Sequence, residues 1–309
     1  MVNPIPSAPP VEARPVQARA DDWLPWIPVG MIIAWWIRDL SHHWSSLVDY
    51  HYGWILLMLT GFLVWERWPT RPNNDQPMRW GWPFTLALIG LPLVTLGELY
   101  RIGVARTPSS SMALSLGSTL FLCANILALA GPKTLRHFAF PLFFFYLAVP
   151  LPKIIWNPVV FSLQSFVTTL NVETLNLLGI PAERRAHLIQ LPNCVVGVDE
   201  ACSGIRSLQS SLMAALFVGD LTLRRGSGKM LFLFAGITLA LVGNFFRSLF
   251  LSLTAYRRGT DALEEVHDSA GWSVLLFTAS GVILLAWWLT RFERRLSSKT
   301  VTKNTPGPV

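Results

Sequence analysis

The chain has 309 residues, is 52% hydrophobic and only 14% charged, and carries a net charge of +7. Its apolar residues fall in long blocks with neither a helical nor an alternating period, which excludes an ordinary soluble globule. The positive charge does not point to nucleic acid, because Lys and Arg are scattered through short segments between apolar blocks instead of gathering on one face.

Residues 1 to 22 are polar and carry Pro4, Pro6, Pro9, Pro10 and Pro15. Such a stretch buries too little apolar surface to fold, and the reading is a disordered cytoplasmic tail. The first apolar run comes too late for a cleaved signal peptide, so targeting is expected to rest on the first span. Apolar runs then predict membrane spans at roughly 24–40, 53–66, 82–99, 113–131, 138–152, 204–221, 230–252 and 271–290. A helix of about 17 to 25 residues crosses a hydrocarbon core of roughly 30 Å. Trp23, Trp54, Trp68, Trp82 and Trp272 fall near these ends, where an indole favours the headgroup layer. The expected fold is an all-α integral membrane protein, a polytopic bundle of about eight transmembrane helices. A single membrane domain covers 23–292, and a basic cytoplasmic tail covers 293–309.

Lys and Arg concentrate on the cytoplasmic side of membrane proteins. With the N-terminus inside, alternate loops place 15 of the 25 basic residues inside and eight outside. Arg206 and Arg247 fall within spans and complete the total. Residues 157–180 compete as a ninth span, but Gln164, Thr168, Asn171, Glu173 and Asn176 interrupt them. They are read as an interfacial helix in the outer loop before the sixth span.

Ionisable groups inside spans are costly and ask for a reason. The sixth span opens with VDEACSGIR, which puts Cys202 at its outer end and Arg206, four residues on, on the same face. The seventh carries GNFFR, with Arg247 near its outer end and Asn244 one turn below. His267, in EEVHDSAGW, precedes the eighth span. A thiol, a guanidinium and an imidazole at one membrane level are the parts of an acyl-transfer site. Cys202 would attack a peptide carbonyl, His267 would move the thiol proton, and Arg247 would hold the oxyanion or the thiolate. The macrodipole favours a thiolate at a helix N-terminus, whereas Asp199 and Glu200 oppose it.

The remaining candidates have plainer readings. Cys123 is an apolar filler in mid-span. Cys194 is read as a buried free thiol, the alternative being a disulfide with Cys202 that would block catalysis. His42, His43 and His51 fit no common metal spacing and are read as solvated interface residues. GSGK at 226–229 lacks the first glycine and the Ser or Thr of a phosphate loop. No metal and no cofactor is expected.

From about residue 150 onward the chain resembles the exosortase and archaeosortase family of polytopic membrane enzymes. The resemblance rests on PLPKIIWNP, LLGIPAERRAHLIQLPNCVVGVDEACSGIRSL, GNFFRSLFLSL and HDSAGW, in that order and spacing. It implies that Cys202 is the nucleophile, Arg247 the catalytic arginine and His267 the third residue, with the catalytic part at about 150–290. It also implies cleavage of exported proteins near a C-terminal, PEP-CTERM-like tail made of a short motif, a transmembrane helix and a basic cluster. Transfer to a cell-surface acceptor would follow. The enzyme would sit in the inner membrane with both termini cytoplasmic and its site on the periplasmic face. The competing readings are a polytopic transporter or a non-catalytic subunit of an exopolysaccharide export system.

Overall fold

The computed structural model describes residues 24–72, 81–197 and 204–303. In chain order the helices are α1 (Ile27–Ser46), α2 (Gly53–Arg67), α3 (Gly81–Gly103), α4 (Pro108–Phe145) and α5 (Lys153–Leu177). Strands β1 (Glu183–Arg185), β2 (Leu188–Gln190) and β3 (Val195–Gly197) follow, then α6 (Ile205–Thr222), α7 (Gly226–Arg258) and α8 (Asp261–Lys303). The tail read at 1–22 lies outside the described residues.

Among the described residues, four helices are long and apolar enough to cross a membrane: α3, α4 with its C-terminal extension to Ala148, α7, and α8 as far as Arg295. The helical membrane class therefore holds, while four helices, against about eight predicted spans, meet that standard. One reason is length, since α2 has only 15 residues, roughly 22 Å at the helical rise. Another is that α4 contains two predicted spans.

α4 breaks at Gly131, whose φ of 78° and ψ of 176° leave the helical region. Glycine tolerates that φ and Pro132 cannot continue the preceding turn. The two arms fold back on each other. Tyr146 Oη donates to the Ser115 carbonyl at 3.1 Å and lies 2.7 Å from Thr119 Oγ1, whereas a straight helix would hold residues 115 and 146 roughly 45 Å apart. Thr107 starts the first arm with a capping box to Ser110, which satisfies two otherwise unpartnered backbone groups.

Contacts between helix ends sort the connections into two sets. At one end, Asp39 lies 3.8 Å from Arg101 and 3.5 Å from Arg106, and Arg206 pairs with Asp49 at 2.8 Å. At the other, Asp220 holds both Arg67 and Lys229, Glu293 accepts from the backbone N–H groups of Arg224 and Arg225, and His137 meets the Arg67 carbonyl at 3.0 Å. Apart from Asp220 with Lys229, which flank one connection, each pair joins connections that the alternation of predicted spans puts on one side.

Both ends of α5 meet the first set. Leu151 donates its N–H to Tyr50 Oη just before α5 begins. Near the helix end, Leu175 packs with Ala255 and Leu253 of α7. The chain then forms a three-stranded antiparallel sheet, β1-β2-β3, which an all-α reading did not include. Arg185 pairs with Leu188, so Ala186 and His187 make a two-residue turn, with Ala186 at φ 55°. Three-residue strands in a polar stretch give too short an alternation to stand out in the sequence. The sheet folds over α7: Ile189 and Val196 are buried in the cluster containing Ala255, and Asn193 Nδ2 donates to the Tyr256 carbonyl at 2.7 Å.

The largest core cluster joins α1, α2 and α4 around Trp36, Trp44, Leu56, Leu63 and Phe144. The two buried indoles donate to Ser115 Oγ and the Ala148 carbonyl, both at 2.8 Å, which satisfies groups that would otherwise be costly in an apolar interior. α3 lies against α4 at Gly97 and Gly117. A Cβ on Gly117 would come within 2.5 Å of Val94 Cγ2, so the absence of a side chain permits the close approach, as is common between membrane helices.

Candidate functional site

α7 and α8 run antiparallel, joined at Gly259, whose φ of 89° ends α7. Arg247 stands roughly three turns before that end. α8 starts at Asp261, so His267 lies on the helix instead of in the loop expected before the last span. The antiparallel pairing brings the two side chains together: Arg247 Nη2 lies 3.0 Å from His267 Nε2. A guanidinium only donates, so Nε2 must accept. The imidazole proton therefore sits on Nδ1, which is 3.3 Å from Asp268 Oδ1. Asp268 is solvent-exposed, and that contact contributes little. Gly271, one turn beyond His267, lies beside the guanidinium, and a Cβ there would be in ordinary contact with Nη2 at 3.8 Å.

Two cavities meet at Arg247. One, of about 230 Å³, is bounded by His267, Asp268, Gly271 and Trp272. The other, of about 440 Å³, runs between α7 and α8 past Phe246, Phe250, Ser273 and Phe277. A polar head and an apolar trough thus share one cation.

Cys202 lies outside the described residues, as do Asp199 and Glu200. Gly204, with φ 86°, is the N-cap of α6. A Cβ on Gly204 would come within 2.5 Å of the Asn244 side chain, so glycine is needed there for both its backbone angle and its lack of bulk. Asn244 is buried at 2% exposure, and Arg247 follows on the next turn of α7. The start of α6 is in this way pressed onto the helix that carries Arg247. Arg206, grouped with Cys202 by spacing, is half-exposed and engaged with Asp49.

The histidines of the first outer loop do not share one environment. His43 is 3% exposed and its Nε2 lies 2.8 Å from Ser111 Oγ, so the solvated reading fails for it: α1 continues to Ser46 and turns that face onto α4. Among the described residues no group of three or more His, Cys, Asp or Glu could hold a metal. Buried Asp39, one turn before His43 and 2% exposed, was missed in the sequence. The spacing of Asp39 and His43 beside the stripe Ser111, Ser115 and Ser118 was the available signal. Cys194 is a free thiol in the β2–β3 turn, and burial pushes its pKa up.

The family model for transmembrane exosortases matches residues 44–286. Searches of curated proteins and of solved structures give no match. The matched span contains Cys202, Arg247 and His267 and covers most of the chain; the protein belongs to the transmembrane exosortase family.

Proposed function

We propose that the protein is a membrane cysteine peptidase or transpeptidase that cleaves exported proteins near a C-terminal, PEP-CTERM-like sorting tail. The observation that carries this reading is the hydrogen bond between Arg247 and His267 beside a cavity, on the helix against which α6 begins three residues after Cys202. In the proposed reaction the Cys202 thiolate attacks the scissile carbonyl and the C–O π electrons move to oxygen. Arg247 donates to that oxyanion. The oxyanion electrons then re-form the carbonyl as the C–N bond breaks; the departing nitrogen takes a proton from water, which had accepted the proton of the thiol, and the acyl group of the thioester passes to water or to an acceptor nucleophile, releasing the thiolate. With Nε2 engaged by Arg247, His267 acts as a positioning residue for the guanidinium and accepts the thiol proton only if it releases that bond.

The same reading places eight crossings with α5 on the outer interface, since both ends of α5 join the same end of the bundle. In support of the orientation, basic residues concentrate at the opposite end, as on the cytoplasmic side of membrane proteins; the proposal puts both termini there and the site at the periplasmic face of the inner membrane. The partner is an exported protein ending in a motif, a transmembrane helix and a basic cluster. Its tail helix would lie laterally against the bundle.

The test is co-expression with a tail-bearing protein from the same genome, following its shortening on a gel. Native enzyme should shorten it, whereas Cys202→Ala, at wild-type membrane levels, should leave it full length. Processing by Cys202→Ala at the native rate refutes the cysteine mechanism.

A further inference from the structure

A further cavity, in the first half of the molecule, is separate from Arg247. It measures about 660 Å³ and lies between α1, α2 and both arms of α4. Its walls include Ile33, Leu57, Leu122, Ile126, Phe138 and Phe145. The space follows from two features of the backbone: α2 stops after 15 residues, and α4 turns back at Gly131. Three helices that close on each other around Trp36 and Phe145 therefore splay apart toward the Arg67 end. Along α1 the lining runs from Trp26 to Ile37, roughly 16 Å, which is about half the thickness of a hydrocarbon core.

Among the described lining residues, charge is found only where the cavity meets the end of the bundle. Arg71 belongs to the lining there. Its guanidinium stacks over the Trp68 ring at 4.5 Å, and Nη1 donates to the Trp68 carbonyl at 2.9 Å. These contacts hold the side chain at the mouth and leave Nη2 and Nε directed to no protein acceptor among the described residues. Thr134 Oγ1 meets the Pro72 carbonyl at 3.3 Å, which ties this rim to the second arm of α4, where Lys133 and Arg136 are exposed. An apolar slot one leaflet deep beneath a fixed guanidinium suits one amphiphile: an acyl chain below and a phosphate above. Membrane-facing basic residues at this rim also favour an anionic head.

We propose that this cavity binds a single anionic glycerophospholipid, with one acyl chain between α1, α2 and α4 and its phosphate on Arg71. The site does not depend on Cys202 or on tail cleavage. Gly61 gives a clean probe, because it lines the cavity and a Cβ there meets nothing within 4 Å. The full chain, purified in mild detergent, would be analysed by native mass spectrometry and then titrated with phosphatidylglycerol or phosphatidylcholine.

The expected result is one retained phospholipid and a preference for phosphatidylglycerol. Gly61→Trp should lose the lipid while retaining its helical circular dichroism. Arg71→Ala should bind phosphatidylglycerol roughly tenfold more weakly with little change for phosphatidylcholine, the usual effect of deleting one charge-assisted hydrogen bond. Equal retention by native protein and Gly61→Trp would overturn the proposal, as would an unchanged lipid preference in Arg71→Ala. Lipid binding that appears only after deletion of residues 1–22 would overturn it too, by making the tail the natural occupant.

Discussion

Arg247 and His267 are twenty residues apart and share one hydrogen bond of 3.0 Å whose direction is set by chemistry, because arginine has no acceptor to offer. The imidazole is thereby committed at Nε2. Replacing His267 with Gln keeps an acceptor near the same place but cannot move a proton, whereas Ala removes both. Processing of a tail-bearing substrate by His267→Gln should stay within about tenfold of native, with the same pH profile between roughly pH 6 and 8. His267→Ala should lose about 100-fold, the scale of a misplaced catalytic group. A Gln variant as slow as the Ala variant would assign proton transfer to His267. Arg247→Lys should also lose about 100-fold, since an ammonium keeps the charge but not the fork that meets both His267 and an oxyanion.

Asp220 is nearly buried, at 6% side-chain exposure, and accepts from Arg67 of α2 and Lys229 of α7. Removing it leaves the Arg67 guanidinium over the Phe140 ring without the Asp220 carboxylate. Asp220→Ala should destabilise the protein by about 3 kcal/mol, read as a lower midpoint of thermal unfolding in detergent. Asp268→Ala, at an exposed carboxylate, should leave that midpoint unchanged. Equal midpoints for native protein and Asp220→Ala would show that the three-residue network is dispensable.

Cys194 tests whether burial keeps one of the thiols unreactive. Burial disfavours the thiolate and so raises its pKa, leaving it mostly protonated at neutral pH. Maleimide labelling of Cys194, followed by mass spectrometry, should be slow at pH 7 and speed up about tenfold per unit toward pH 9. Cys194→Ser should process substrate at the native rate. Fast labelling at pH 7 contradicts this account.

The sequence by itself determined the class, the order of the helices and the residues worth testing. Long apolar blocks leave few alternatives to membrane helices, and Arg247 stood out because a charge in such a block is costly. Family resemblance through GNFFR and HDSAGW marked the same positions, and the match over residues 44–286 agrees. The grouping of loops was also legible, since Asp39 with Arg101 and Asp220 with Arg67 join connections that alternation alone had put together.

Only the tertiary structure decided how these parts meet. The direction of the Arg247–His267 bond depends on the packing of α8 against α7, and no spacing along one chain encodes a distance between two helices. His43 became buried because α4 covers its face, which hydropathy along α1 cannot register. The sheet after α5 was invisible because its strands draw their stability from packing on Ala255 and Tyr256, far along the chain. The cavity above Gly61 arises likewise from a short helix beside a folded-back one, a matter of three helices at once.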